Sequence, residues 1–101
     1  MKEITVQELK QLIDDKKDFQ LIDVREEYEY DEVNINGKLI PMGEVMEHVD
    51  EIAKDKQVVV HCRSGKRSAT VINALESQFG FTNLYNLKGG ILAYIEEIGL
   101  S

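Results

Sequence analysis

Gln57-Val58-Val59-Val60-His61-Cys62-Arg63-Ser64-Gly65-Lys66-Arg67-Ser68 is the stretch that decides the fold. Its first half is a short β-branched run, which predicts a buried strand over 57–61. Beyond its second half, Ala69 to Phe79 carries helix-forming residues and stops at Gly80, a residue suited to a left-handed cap. The only cysteine of the chain therefore sits where a strand ends and a helix begins. Backbone N–H groups of a first helical turn have no intrahelical partner, and their partial positive charge favours an anion. Arg63, Lys66 and Arg67 lie within five residues of the sulfur. A thiol so placed ionises below its free value of roughly 8.5, by about a unit or more, which makes Cys62 a candidate nucleophile facing a bound anion.

Outward from this unit, strands and helices alternate. Glu3-Ile4-Thr5 reads as a short strand, and Thr5-Val6-Gln7-Glu8 as a capping box opening a helix with Val6, Leu9, Leu12 and Ile13 on one face. Asp14 to Asp18 is a solvated turn, and Phe19 to Val24 a second strand with Asp23 near its end. Arg25 to Asp31 is acidic, aromatic and weakly helical. Asn36-Gly37 signals a turn, and Leu39-Ile40 a short strand closed by Pro41. A helix is expected from Glu44, where Val45, Met46, Val49, Ile52 and Ala53 repeat at helical spacing. After the central loop, Ser68, Ile72, Leu75 and Phe79 share one helical face. Asn83 to Leu87 is another strand, Lys88-Gly89-Gly90 a tight turn, and Ile91, Leu92, Ile95 and Ile98 mark a last helix. The class is therefore α/β with a mostly parallel sheet, in which ligands bind beyond the carboxyl ends of the strands. Cys62 and Asp23 both fall at such ends.

The 101 residues suit one domain, 1–101, with 43% apolar content for a core and 31% charged content to cover it. A net charge of −7 argues against nucleic acid as a partner and sets off the local basic cluster at 63–67. No apolar stretch approaches the length needed to cross a bilayer, and Met1 to Thr5 lacks the apolar region of a signal peptide. The expectation is a cytoplasmic protein with no membrane partner. One cysteine cannot form an internal disulfide, and one Cys with two His makes a structural zinc site improbable.

Three blocks carry a family resemblance: Ile22-Asp23-Val24-Arg25-Glu26, Cys62-Arg63-Ser64-Gly65-Lys66-Arg67-Ser68 and Asn86-Leu87-Lys88-Gly89-Gly90-Ile91. In order and spacing they resemble a single-domain rhodanese, a sulfurtransferase, over nearly the whole chain, and the opening Ile4 to Leu9 agrees. The resemblance implies a three-layer α/β/α fold with a five-stranded sheet, the strand order being the family's. It implies that Cys62 accepts a sulfane sulfur and becomes a persulfide. Arg63, Ser64, Gly65, Lys66 and Arg67 would form a cradle whose amides hold the terminal sulfur; read from the residues alone, Ser64 and Ser68 are loop and cap residues first and donor contacts second. Arg67, with Lys66, would bind an anionic donor such as thiosulfate. Asp23 and Arg25 would support the sheet and the loop. No metal or organic cofactor is implied. The acceptor would be cyanide or a thiol, and a sulfur-relay protein is a further partner in view. Two departures stand out. Val33-Asn34-Ile35-Asn36-Gly37-Lys38 replaces the family's usual Gly-His-Ile and Gly-Ala, and Tyr94 stands where a tryptophan is usual. The first resembles rhodanese domains found behind adenylyltransferases in sulfur-carrier pathways.

The chemistry fits the residues. Sulfur transfer needs a thiolate nucleophile, cations to hold a departing anion, and a loop glycine, Gly65, that keeps side chains out of the pocket. Three other readings compete. A cysteine phosphatase or arsenate reductase shares the His-Cys-x-x-Gly opening, but its signature has one more residue than the four between Cys62 and Arg67. A smaller ring of amides suits one sulfur atom better than a tetrahedral oxyanion. A persulfide carrier for a biosynthetic pathway would use the same cysteine with poor turnover on cyanide. A non-catalytic binding module would not need the complete loop. At single positions, plainer roles are weighed as well. Cys62 as a buried inert thiol is disfavoured by its basic surroundings. His61 reads as a strand end with its ring satisfied by a neighbour, His48 as surface, Met42 and Met46 as core or pocket wall, and the 26–32 run as a solvated segment.

Overall fold

The computed structural model describes residues 1–100. In chain order the elements are β1 (Lys2–Ile4), α1 (Val6–Asp14), β2 (Phe19–Asp23), α2 (Glu27–Glu32), β3 (Lys38–Leu39), two 3-10 helices (Met42–Glu47 and Val49–Glu51), β4 (Gln57–His61), α3 (Lys66–Phe79), β5 (Leu84–Leu87) and α4 (Gly90–Glu97). The strands form one sheet in the order β1-β5-β4-β2-β3, and every pairing is parallel. This is the α/β class with a five-stranded sheet that the sequence indicates.

Strand alternation divides the core. Successive side chains of β4 point to opposite faces. Val58, Val60 and Cys62 join Ile22, Val24, Val71, Ile72 and Leu75 in the cluster beneath α3 and the 3-10 helices. Val59 joins Ile4, Leu9, Leu87 and Ile91 beneath α1 and α4. The Thr5–Glu8 capping box is present, with the Glu8 amide 3.1 Å from Thr5 Oγ1 and the Thr5 amide 2.9 Å from Glu8 Oε1.

Five expectations need correction. The segment from Glu44 is not an α-helix but two 3-10 turns, broken at His48 (φ −123°, ψ 26°). Its bonds run from i to i+3, as in His48 N–H to Val45 O at 3.0 Å and Ile52 N–H to Val49 O at 3.1 Å. Two tight turns still bring Val45 and Ile52 into the core, but Met46 is left exposed, as is Met42. The long helix α3 begins at Lys66, three residues before Ala69, because Gly65 supplies a left-handed N-cap (φ 107°) directly after the loop. Phe79 is exposed rather than buried. Gly80 (φ 70°) reverses the chain there, and Phe81 turns inward in its place. In α4 the buried residues are Ile91 and Tyr94, while Leu92 and Ile95 face out.

Candidate active site

β4 delivers Cys62 to the carboxyl edge of the sheet, where Arg63 to Gly65 form a short loop before α3. The sulfur is ringed by donors. The Gly65 amide donates to Cys62 Sγ at 3.1 Å and the Ser68 amide at 3.4 Å, and Ser68 Oγ lies 3.4 Å away. Cys62 is only 1% exposed. Burial by itself pushes its pKa up. The amides of Ser68, Gly65 and Ser64 oppose it, as does the Ser68 hydroxyl where it turns to the sulfur, and the net direction is down. The inert-thiol reading rests on burial alone, and these donors argue against it.

The loop is held from behind by the first turn of α4. The Ile91 amide donates to Cys62 O at 3.0 Å and the Leu92 amide to Arg63 O at 3.1 Å. Two carbonyls are thus drawn toward α4. The approach is so close that a Cβ on Gly90 (φ 62°) would stand 2.4 Å from Arg63 O. The Gly-Gly of the third sequence block is therefore a backbone contact with the cysteine loop.

Arg67 is engaged from an unexpected quarter. Its Nη1 and Nη2 donate to Glu29 Oε1 and Oε2 at 2.6 and 2.9 Å, a two-pronged pairing across 38 residues. Glu29 also accepts from the Glu26 amide at 3.0 Å, which caps α2. The Arg67 hydrogen bonds hold the Glu29 carboxyl down at about 2, against the opposing effect of burial. The 26–32 run is thus not wholly a solvated segment. The structure brings Arg67 to the loop with its fork occupied by Glu29, whereas Arg63 and Lys66 are exposed and have no ion pair among the described residues.

Asp23 and Arg25 are buried together. Arg25 Nη2 lies 2.8 Å from Asp23 Oδ2, and Arg25 Nε lies 3.0 Å from Oδ1. The same guanidinium donates to Val33 O at 2.7 Å and Glu29 O at 3.4 Å. This ties the end of β2 to the last turn of α2, the helix that carries Glu29. His61 is fully buried, paired in register with Asp23. Its Nδ1 lies 3.3 Å from Cys62 O, but its Nε2 has no hydrogen-bond partner and stands 3.6 Å from Asp23 Oδ2. The ring is therefore only half satisfied by its neighbours. Burial pushes its pKa down, with Asp23 opposing. His48 is a surface residue, 2.5 Å from Glu51 Oε2.

Sequence reasoning passed over Glu29 and Asn86. Asn86 accepts the Ser68 hydroxyl at 2.5 Å and donates to Gly65 O at 3.1 Å. Its signal was a polar residue in step with Leu84 on the inward face of a strand. A cleft of about 400 Å³ lined by Lys10, Ile13, Tyr94 and Leu100 among others contains no residue of the cysteine loop.

The family profile described as Rhodanese-like domain matches residues 5–97. A putative sulfurtransferase of Bacillus subtilis is 40% identical over 98 residues, covering 96% of this chain and 93% of that protein. A probable adenylyltransferase/sulfurtransferase of Mycobacterium tuberculosis is 35% identical over 94% of this chain, which spans only 25% of that protein's length. The crystal structure of a rhodanese-related protein from Thermoplasma volcanium superposes with a TM-score of 0.85 at 34% identity, covering 97% of this chain and 94% of that one. A cysteine loop between β4 and α3, braced by a Gly-Gly turn and matched along nearly the whole chain, places this protein in the rhodanese-like domain family.

Proposed function

We propose that this protein transfers sulfane sulfur through a Cys62 persulfide. The ring of donors around Cys62 Sγ carries the reading: amides at 3.1 and 3.4 Å steady a thiolate, and later the negative end of a persulfide. The relatives named as sulfurtransferases support the same class of reaction. In the first half-reaction the Cys62 thiolate attacks the outer sulfur of thiosulfate. A Cys62–sulfur bond forms, the S–S bond of thiosulfate breaks, and sulfite leaves with the electron pair. Exposed Arg63 and Lys66 lower the cost of its departing charge. In the second half-reaction cyanide or a thiol attacks the outer sulfur, and the electron pair returns to Cys62 as thiolate. A covalent intermediate between two half-reactions predicts ping-pong kinetics.

The Glu29 pairing favours a second form of this reading, a persulfide carrier. With its Arg67 fork filled by a carboxylate, the site offers a dianion less than the motif alone suggests. A cysteine-persulfide donor on a relay protein would not need that fork. The relative named as a probable adenylyltransferase/sulfurtransferase is in keeping with such a relay. Intact mass after incubation with thiosulfate, and separately with a low-molecular-weight persulfide, tests both forms. One added sulfur atom, absent in Cys62→Ser and removed by cyanide as thiocyanate, is the expected result. Loading from the persulfide alone selects the carrier, and loading from neither refutes sulfur transfer at Cys62.

A further inference from the structure

Asn86 sits on β5 between two parts of the cysteine loop, and its surroundings determine how its amide is oriented. Its Nδ2 stands 3.1 Å from Gly65 O. A carbonyl only accepts, so the nitrogen must be on that side and Oδ1 must face Ser68. Oδ1 cannot donate either, so the 2.5 Å contact places the Ser68 hydrogen on the Asn86 side. A hydroxyl has one hydrogen. What Ser68 Oγ turns toward Cys62 Sγ, 3.4 Å away, is therefore a lone pair. A lone pair accepts from a thiol but opposes a thiolate. From this side the thiolate is left with the Gly65 and Ser68 amides.

We propose that Asn86 is a positioning residue that withholds the Ser68 hydrogen from Cys62, so that the resting loop holds the thiolate with its amides alone and adds a third donor to the sulfur only when Ser68 turns away from Asn86. The inference rests on Cys62 being the reacting thiol, but not on which sulfur compound it meets. The other charged groups around the loop are Arg63, Lys66 and Arg67, with Glu29 of α2 on Arg67, and the buried His61, Asp23 and Arg25. The α4 turn against the loop, Gly90 to Ala93, has no titratable side chain, and Tyr85 of β5 lies against Lys2. None of these charged groups is altered by a substitution at Asn86, and loss of the Asn86 bond to Gly65 O is common to the single and double variants, so the part of a shift that disappears without Ser68 reports the hydroxyl.

The test is the pH dependence of Cys62 alkylation by iodoacetamide in the wild type, Asn86→Ala, Asn86→Leu, Ser68→Ala and the Ser68→Ala/Asn86→Ala double variant. Losing Asn86 lets the hydroxyl donate to the sulfur. The midpoint then falls by about one pH unit, the scale of one hydrogen bond to a charged group. The plateau rate at high pH falls roughly two- to threefold, because a less basic thiolate is a weaker nucleophile. Without Ser68 the Asn86 substitution has nothing to release, so the double variant matches Ser68→Ala. An unchanged or raised midpoint in both Asn86 variants overturns the proposal, and so does a fall that persists in the double variant. Ser68→Ala alone leaves the midpoint at or below that of the wild type. A clear rise there means the hydroxyl already serves the thiolate, and this decides the matter even if the Asn86 variants fail to fold. Alkylation needs no sulfur donor, so a protein that proves not to transfer sulfur still answers the question.

Discussion

Glu29→Gln removes one negative charge from the pair that joins α2 to α3 and keeps the side chain's shape. The carboxyl's ordinary value of 4.5 falls to about 2 in the fold, chiefly through the Arg67 hydrogen bonds. By linkage, a carboxyl held that low contributes at most about 3 kcal/mol at neutral pH. Arg67 is 33% exposed and Glu29 14%, so solvent screens part of this. The expected loss in Glu29→Gln at pH 7 is about 1–2 kcal/mol, a fall in Tm of roughly 4–16 °C for a chain of this size. The sign follows from the direction of the shift. A lowered carboxyl stabilises fully above about 4.5, and its contribution fades as pH falls toward 2. Urea denaturation of both proteins at pH 7, 4 and 2.5 reads this directly. The gap between them narrows steadily below pH 4.5, and the wild type loses stability faster than the variant. A gap that is absent at pH 7, or that keeps its size down to pH 2.5, refutes the assignment of the pair as a stabilising contact.

Gly90→Ala places a Cβ against Arg63 O at a positive φ, so it destabilises by about 2–5 kcal/mol and slows Cys62 alkylation. Gly43→Ala meets nothing within 4 Å, and its melting curve stays close to that of the wild type. Arg25→Met strands the buried Asp23 carboxylate and costs about 3–5 kcal/mol by chemical denaturation. A loss below about 1 kcal/mol in that variant would show that Arg25 does not hold α2 in place.

What could be read from residues alone was local. A β-branched run into Cys62, the Thr5–Glu8 box and the stop at Gly80 each depend on neighbours a few positions apart, and each is present in the fold. Where local pattern misled, it did so for physical reasons. Apolar spacing at 44–53 fits a helix, yet two 3-10 turns bury the same valine and isoleucine. The end of α3 looked apolar at Phe79, but the reversal at Gly80 gave the buried place to Phe81. Tertiary structure alone decided the strand order, the Arg67–Glu29 fork, the Asn86–Ser68 bond and the grip of α4 on the loop carbonyls. Backbone preference and periodicity act within a turn or two of chain, so a sequence reveals them directly. Hydrogen bonds across 18 or 38 residues exist only once the sheet has set which side chains face one another, and no local pattern carries that pairing.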